Sequence, residues 1–164
     1  MIFSKAYYEA FEQKRQVKMS ERLVEELLQN AENVASHAHS GQVDLGGVPY
    51  IEHPRTVASL CHTPEAKVVA WLHDTIEDTD TTREDLLNYG FPEDLVDVVC
   101  LLTKTEADNA DYLSYIKRIA EHPLAREVKI ADITHNMDLS RIPSPTSMDL
   151  ERIEKYKKAL HILQ

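Results

Sequence analysis

A chain of 164 residues, 43% hydrophobic and 28% charged, fits one domain with a core of ordinary size. Its formal net charge of -10 argues against a nucleic-acid-binding surface, which needs a basic patch. The same charge would repel a phosphate ligand unless a bound cation offsets it. No apolar run approaches about 18 residues and no signal-peptide core opens the chain, so a cytoplasmic protein without a membrane partner is expected.

Few β-branched runs, only four glycines and many Leu, Ala, Glu and Lys predict an all-α fold. Phe3, Tyr7, Tyr8 and Phe11 recur at helical spacing and predict a packing face, on the domain or on a partner subunit. Ser20 is the expected N-cap of a helix reaching about Ala38, with Leu23, Leu27, Ala31, Val34 and Ala35 on one side. Gly41 ends it, and Gly46, Gly47 and Pro49 mark an irregular loop. A short helix follows His53-Pro54, and Thr63-Pro64 starts another that runs into His73-Asp74. Thr82 to Asp85 reads as a capping box whose helix closes at Gly90. Helices over Pro92 to Leu102, Asn109 to Glu121, Leu124 to about Leu139 and Ser147 to the end complete a bundle of seven to nine. Cys61 and Cys100 follow no CxxC spacing and lie in apolar helical stretches, which predicts two reduced thiols.

Three segments carry histidine or carboxylate where periodicity alone gives no reason for it. In a continuous helix at about 100° per residue, His73, Asp74, Glu77 and Asp78 would fan over only about 140° of surface. His53 sits at a loop-helix junction, and Asp132 shares a helix face with Asn136. Singly, each has an ordinary reading: a capping histidine, an exposed acid pair, a solvated aspartate. Together, two imidazoles and two carboxylates make a mixed N/O set suited to Mn²⁺, Fe²⁺ or Zn²⁺, with coordination positions left for water and a phosphate oxygen.

The segments Ala38 to Gln42, Pro49 to Pro54, Ala70 to Thr79, Leu102 to Lys104 and Val128 to Asp132 with His135-Asn136 resemble, in order and spacing, the hydrolase domain of the RelA/SpoT family. The likeness spans about residues 30 to 160 and is greatest to the stand-alone small alarmone hydrolases, including metazoan SpoT homologues. It implies one HD-type helical domain over residues 1–164, with 1–19 as a helical extension, and one Mn²⁺ (or another divalent ion) held by His53, His73, Asp74 and Asp132. It further implies Glu77 and Asp78 as the residues that orient and deprotonate water. Asn136 and Arg152 would bind the substrate, Arg152 with Tyr156 beside it. The implied reaction releases pyrophosphate from the ribose 3′ position of (p)ppGpp. Lys104, Arg55 and Arg141 are further candidate cations, and His39 and His135 are expected to support the fold or the ligands by hydrogen bonds.

The resemblance fails at two places. Where alarmone hydrolases carry an Arg-Lys pair against the base, this chain has Asp44-Leu45, and Ile133 replaces a basic residue. Asp44 cannot offer a cationic face; it could accept from a guanine edge, select another base, or do nothing. The alternatives to (p)ppGpp hydrolysis are therefore action on another nucleotide or NADPH, or a non-catalytic nucleotide-binding module. A homo-oligomer is left open.

Overall fold

The computed structural model describes residues 5–164, without the side chains at positions 7, 8, 11 and 17–19, so the expected aromatic face of Phe3, Tyr7, Tyr8 and Phe11 lies outside it. The described residues form ten α-helices and one 3-10 turn, somewhat more pieces than the seven to nine expected, and no strand. The fold is all-α, as composition predicts. One isolated antiparallel bridge, Val43 with Pro49, pins the base of the glycine loop.

The first helix, α1 (Lys5–Ala38), runs 34 residues without interruption. Ser20 is therefore not its N-cap: the preceding Lys, Glu, Ala, Gln and Arg are good helix formers, and they carry the helix back past the serine. Ala31 and Ala35, both fully buried, bring its C-terminal half close to α3 (Pro64–Leu72). Helix α3 is the centre of the bundle, packing also on α2 (Glu52–Leu60), α6 (Glu93–Leu102) and α9 (Pro123–Asn136). Val57, Val69, Leu72, Val99, Val128 and Ile133 meet there with no solvent exposure.

Local chemistry sets most of the helix ends. The Thr63 hydroxyl accepts from Ala66 N ahead of Pro64, and Thr82 and Asp85 form the expected capping box on α5 (Arg83–Asn88). Two further boxes were not anticipated: Thr105 with Asp108 on α7 (Glu106–Ala110), and Thr146 with Asp149 on α10 (Ser147–Leu163). The single helix expected over Asn109 to Glu121 is two. Asp111 leaves helical geometry between α7 and α8 (Tyr112–Ala120), and its side chain accepts from Ser114 N to start the second. Helix α9 ends at Asn136, and a 3-10 turn over Leu139–Arg141 takes the remainder of the expected segment.

The His73-Asp74 step also breaks the expected continuous helix. His73 Nδ1 lies 2.6 Å from Ala70 O, and Thr75 Oγ1 donates to Leu72 O at 2.7 Å. Side chains thus take carbonyls of the last turn of α3, and a new short helix, α4 (Thr75–Asp78), starts beyond them.

Candidate active site

The break aims His73 and Asp74 at His53 on α2 and Asp132 on α9. His73 Nε2 lies 3.0 Å from Asp74 Oδ2 and 3.5 Å from Asp132 Oδ1; His53 Nε2 lies 3.0 Å from Asp132 Oδ1 and 3.6 Å from Asp74 Oδ2. These are the four residues that the family resemblance implies as ligands, and they converge. His53, His73 and Asp132 are all buried, with donor atoms within 4.8 Å of one another. Asp74 joins them through the distances above and also belongs to a second cluster with Glu77 and Asp78.

What the outer nitrogens touch decides which protons the imidazoles carry. Ala70 O can only accept, so His73 Nδ1 carries hydrogen and Nε2 of the neutral ring carries none. Arg141 donates to His135 Nδ1 at 3.2 Å, which makes that nitrogen an acceptor. His53 Nδ1, 2.7 Å from the same atom, is then the donor, and its Nε2 too is proton-free. His135 suits this part: burial first, then the charge of Arg141, pushes its pKa down to about 4. With both rings neutral, two nitrogen and two oxygen lone pairs face one point, and His73 Nε2 is buried without a hydrogen-bond partner. Ligand atoms at right angles around an ion with bonds of about 2.1 Å sit roughly 3.0 Å apart, so the donor set fits a divalent cation. Burial opposes a charge on His73, yet Asp74 and Asp132 outweigh it and hold its pKa well above the ordinary value. The point attracts positive charge.

The ligand atoms are themselves held. Lys129 Nζ donates to Asp132 Oδ2 at 2.8 Å and Asn136 Nδ2 to Asp132 Oδ1 at 2.9 Å. Burial would raise Asp132, but Lys129, followed by the two histidines, keeps it well below the carboxylate range. Tyr50 OH donates to Asp74 Oδ2 at 2.5 Å, and its ring rests on that of His39, 4.9 Å between centroids. His39 does support the fold: its Nδ1 meets Gln42 Oε1 at 2.9 Å, and Gln42 Nε2 donates to Asp78 O at 3.1 Å.

The two acids of α4 differ. Glu77 Oε1 accepts from Lys104 N at 2.6 Å, which ties α4 to the end of α6. Asp78 makes no side-chain hydrogen bond among the described residues. Loss of water around its carboxyl, then the charges of Asp74 and Glu77, pushes its pKa up to about 6.

Two chambers flank the cluster and share Tyr50, Asn136 and Tyr156 as a common wall. The larger, about 350 Å³, is bounded by Asp44, Leu45, Arg141 and Arg152. The smaller, about 120 Å³, is bounded by Glu77, Asp78, Lys104, Tyr112 and Lys155. Arg152, held by Asp149 at 2.8 Å, and Asn136 both line the larger chamber, whereas Arg55 pairs with Glu52 and lies over Trp71, away from it. Asp44 is committed. One carboxylate oxygen accepts from Gly46 N and Val48 N, and the other from Arg141 at 3.0 Å. Lys129, Tyr112 and Lys155 are the residues the sequence reading left without a role. Only Lys129 had a local signal, three residues before Asp132 on one helix face.

No protein-family model matches the chain. It is 33% identical over 147 residues to a GTP pyrophosphokinase of Streptomyces coelicolor, covering 84% of this chain and 16% of that protein. It is 38% identical over 116 residues to a guanosine-3′,5′-bis(diphosphate) 3′-pyrophosphohydrolase of Haemophilus influenzae, covering 63% of this chain and 17% of that protein. The chain spans about a sixth of the length of these curated relatives. Among solved structures, a metazoan ortholog of SpoT that hydrolyzes ppGpp and plays a role in starvation responses superposes with a TM-score of 0.69 at 22% identity. The match covers 84% of this chain and 85% of that one. The fold is the all-α HD-domain bundle of that protein.

Proposed function

This chain is a relative of the RelA/SpoT-type HD-domain proteins, and on that footing we propose that it hydrolyses guanosine-3′,5′-bis(diphosphate) to GDP and pyrophosphate. The observation that carries the reading is the convergence of two imidazole nitrogens and two carboxylates beside an unengaged acid, Asp78.

His53, His73, Asp74 and Asp132 would hold the ion, and Mn²⁺ suits their mixed N/O character. When bound it neutralises charge on the phosphoryl oxygens and makes water easier to deprotonate. Asp78 takes the proton of the attacking water, whose oxygen bonds to the phosphorus esterified to O3′. The P–O3′ bond breaks, its electron pair goes to O3′, and a proton returns there. Glu77, anchored on Lys104 N, fixes α4 so that Asp78 keeps its place. Asn136 steadies Asp132 with its amide N–H and offers its carbonyl oxygen to a ribose hydroxyl. Arg152 meets phosphate from the larger chamber. We further propose that residues 1–164 act as one HD-type domain with 1–19 as an extension, in the cytoplasm, where the two free thiols stay reduced. No described helix is long and apolar enough to cross a membrane.

A second reading, another phosphorylated nucleotide such as NADPH, draws on the base-side loop. Asp44 is spent on Arg141 and on backbone, and its neighbour Leu45 is 71% exposed. Purified protein with Mn²⁺ should release pyrophosphate and GDP from ppGpp, and Asp78→Asn should lower kcat about 10²-fold or more while KM moves little. A panel of phosphorylated nucleotides run alongside decides the substrate. Turnover of another nucleotide without turnover of ppGpp would reject the specificity and keep the chemistry, and no turnover of any would reject both.

A further inference from the structure

Asp78 makes no side-chain hydrogen bond among the described residues, so its backbone sets where its carboxylate stands. That backbone belongs to α4, a single turn of four residues. A helix so short does not hold its own shape, and its last carbonyls have no partner within the helix. Side chains take two of its carbonyls. Thr79 Oγ1 donates to Thr75 O at 2.5 Å, and Gln42 Nε2, from the loop after α1, donates to Asp78 O at 3.1 Å. The first tie is local; the second reaches across 36 residues of chain. Asp78 O can only accept, so the nitrogen of the Gln42 amide faces it and the amide oxygen faces His39 Nδ1, 2.9 Å away. Turning the amide over would set oxygen against oxygen. The buried His39 ring lies 4.9 Å from that of Tyr50, and Tyr50 N donates to Gln42 O at 2.8 Å. His39, Gln42 and Tyr50 are thus one unit, and it grips both ends of the segment from Asp74 to Asp78. Tyr50 OH holds the carboxylate of Asp74, and the Gln42 amide holds the backbone of Asp78.

We propose that Gln42 is a positioning residue of the hydrolysis: its amide sets where the Asp78 carboxylate stands relative to Asp74, and so where the proton of the attacking water is taken. This rests on the reading of Asp78 as the acceptor of that proton. Glu77 ties the same helix to the end of α6 through its own side chain, whereas Gln42 fixes the main chain at Asp78 itself. The carbonyl and the carboxylate of one residue share its Cα, so a shift of the first carries the second. A misplacement of about 1 Å at a reacting group can cost on the order of 10²-fold in rate.

The test uses the full chain and two substitutions. Gln42→Glu keeps an acceptor for His39 Nδ1 and loses the donor to Asp78 O; Gln42→Met removes both without adding charge. With Mn²⁺ and ppGpp each should lower kcat about tenfold or more, while KM and the calorimetric affinity for Mn²⁺ stay within about twofold. Two further readouts separate positioning from a merely structural part. In the Asp78→Asn background either substitution should cost less than about twofold more in kcat, because the amide acts through that carboxylate. The Asp78 amide, bonded to Asp74 O at 2.9 Å, should exchange its hydrogen at least about fivefold faster in both variants. Unchanged kcat, unchanged exchange, or losses that multiply with that of Asp78→Asn would overturn the proposal while leaving hydrolysis intact. A parent chain that turns over no nucleotide, with faster exchange in the variants, would overturn the catalytic reading and with it the part of Gln42 in the reaction, leaving a structural tie alone.

Discussion

His135 shows how far a residue can matter without reaching the reacting centre. Its Nδ1 takes hydrogen bonds from both His53 and Arg141, and Arg141 in turn is held by Asp44. That chain of contacts joins the glycine loop to a proposed ligand and keeps the proton of His53 on the outer nitrogen. His135→Ala should leave the fold in place, since the ring is only half-buried, and should lower Mn²⁺ affinity about 10- to 100-fold in a calorimetric titration. An unchanged affinity would mean that His53 holds its tautomer unaided. Gly46 belongs to the same circuit. A Cβ there would run into the carbonyl oxygen of Arg141, which is backbone and cannot swing aside. Gly46→Ala should therefore push the loop off the 3-10 turn, lower Tm, and raise KM for the nucleotide through the displaced Arg141.

Helix ends were readable wherever one side chain settles them. Thr63 before Pro64, and Thr82 with Asp85, are contacts within three residues, so spacing alone exposes them. The boxes of Thr105 with Asp108 and Thr146 with Asp149 carry the same spacing and were legible by it. The other unexpected ends depend on conformation that pattern does not encode: Asp111 interrupts an unbroken apolar period, and His73 and Thr75 turn inward to take carbonyls of α3. The same division holds in the site. His53, His73, Asp74 and Asp132 were legible because they stand in a motif, while Lys155 and Tyr112 come together from α10 and α8, which nothing in their local sequence announces. Glu127 is another such long-range tie. Its carboxylate on α9 accepts from His62 N at 2.6 Å and from Thr63 N and Oγ1 at 3.2 Å, closing the α2–α3 loop. Burial would raise its pKa, but those donors win and lower it. A depressed carboxylate stabilises the fold above its unfolded pKa and loses that contribution as pH falls through the folded one. Glu127→Gln should cost about 1 kcal/mol at pH 7 in urea unfolding, and the gap from the parent protein should close in acid below about pH 4.

At the scale of the whole molecule, the four proposed ligands come from α2, the α3–α4 break and α9, segments spread from residue 53 to residue 132. In the folded chain their lone pairs converge on one point; in the unfolded chain they do not. An ion bound there therefore favours the native state by mass action, by about 2.7 kcal/mol when its free concentration is 100 times Kd. For a domain of this size that is a rise in Tm of roughly 5–10 °C, measurable by calorimetry with and without Mn²⁺ and reversed by a chelator. A net charge of -10 complicates the reading, because divalent cations also screen acidic surfaces without any site. Asp74→Asn separates the two effects. It keeps an acceptor for Tyr50 OH and alters one charge among 28 acidic residues, so surface screening is nearly preserved while a ligand is lost. If the ion is held as proposed, Mn²⁺ should raise Tm in the parent chain and leave the variant almost where it was. If the two proteins shift alike, the stabilisation comes from screening at the surface, and the converged lone pairs do not bind the ion.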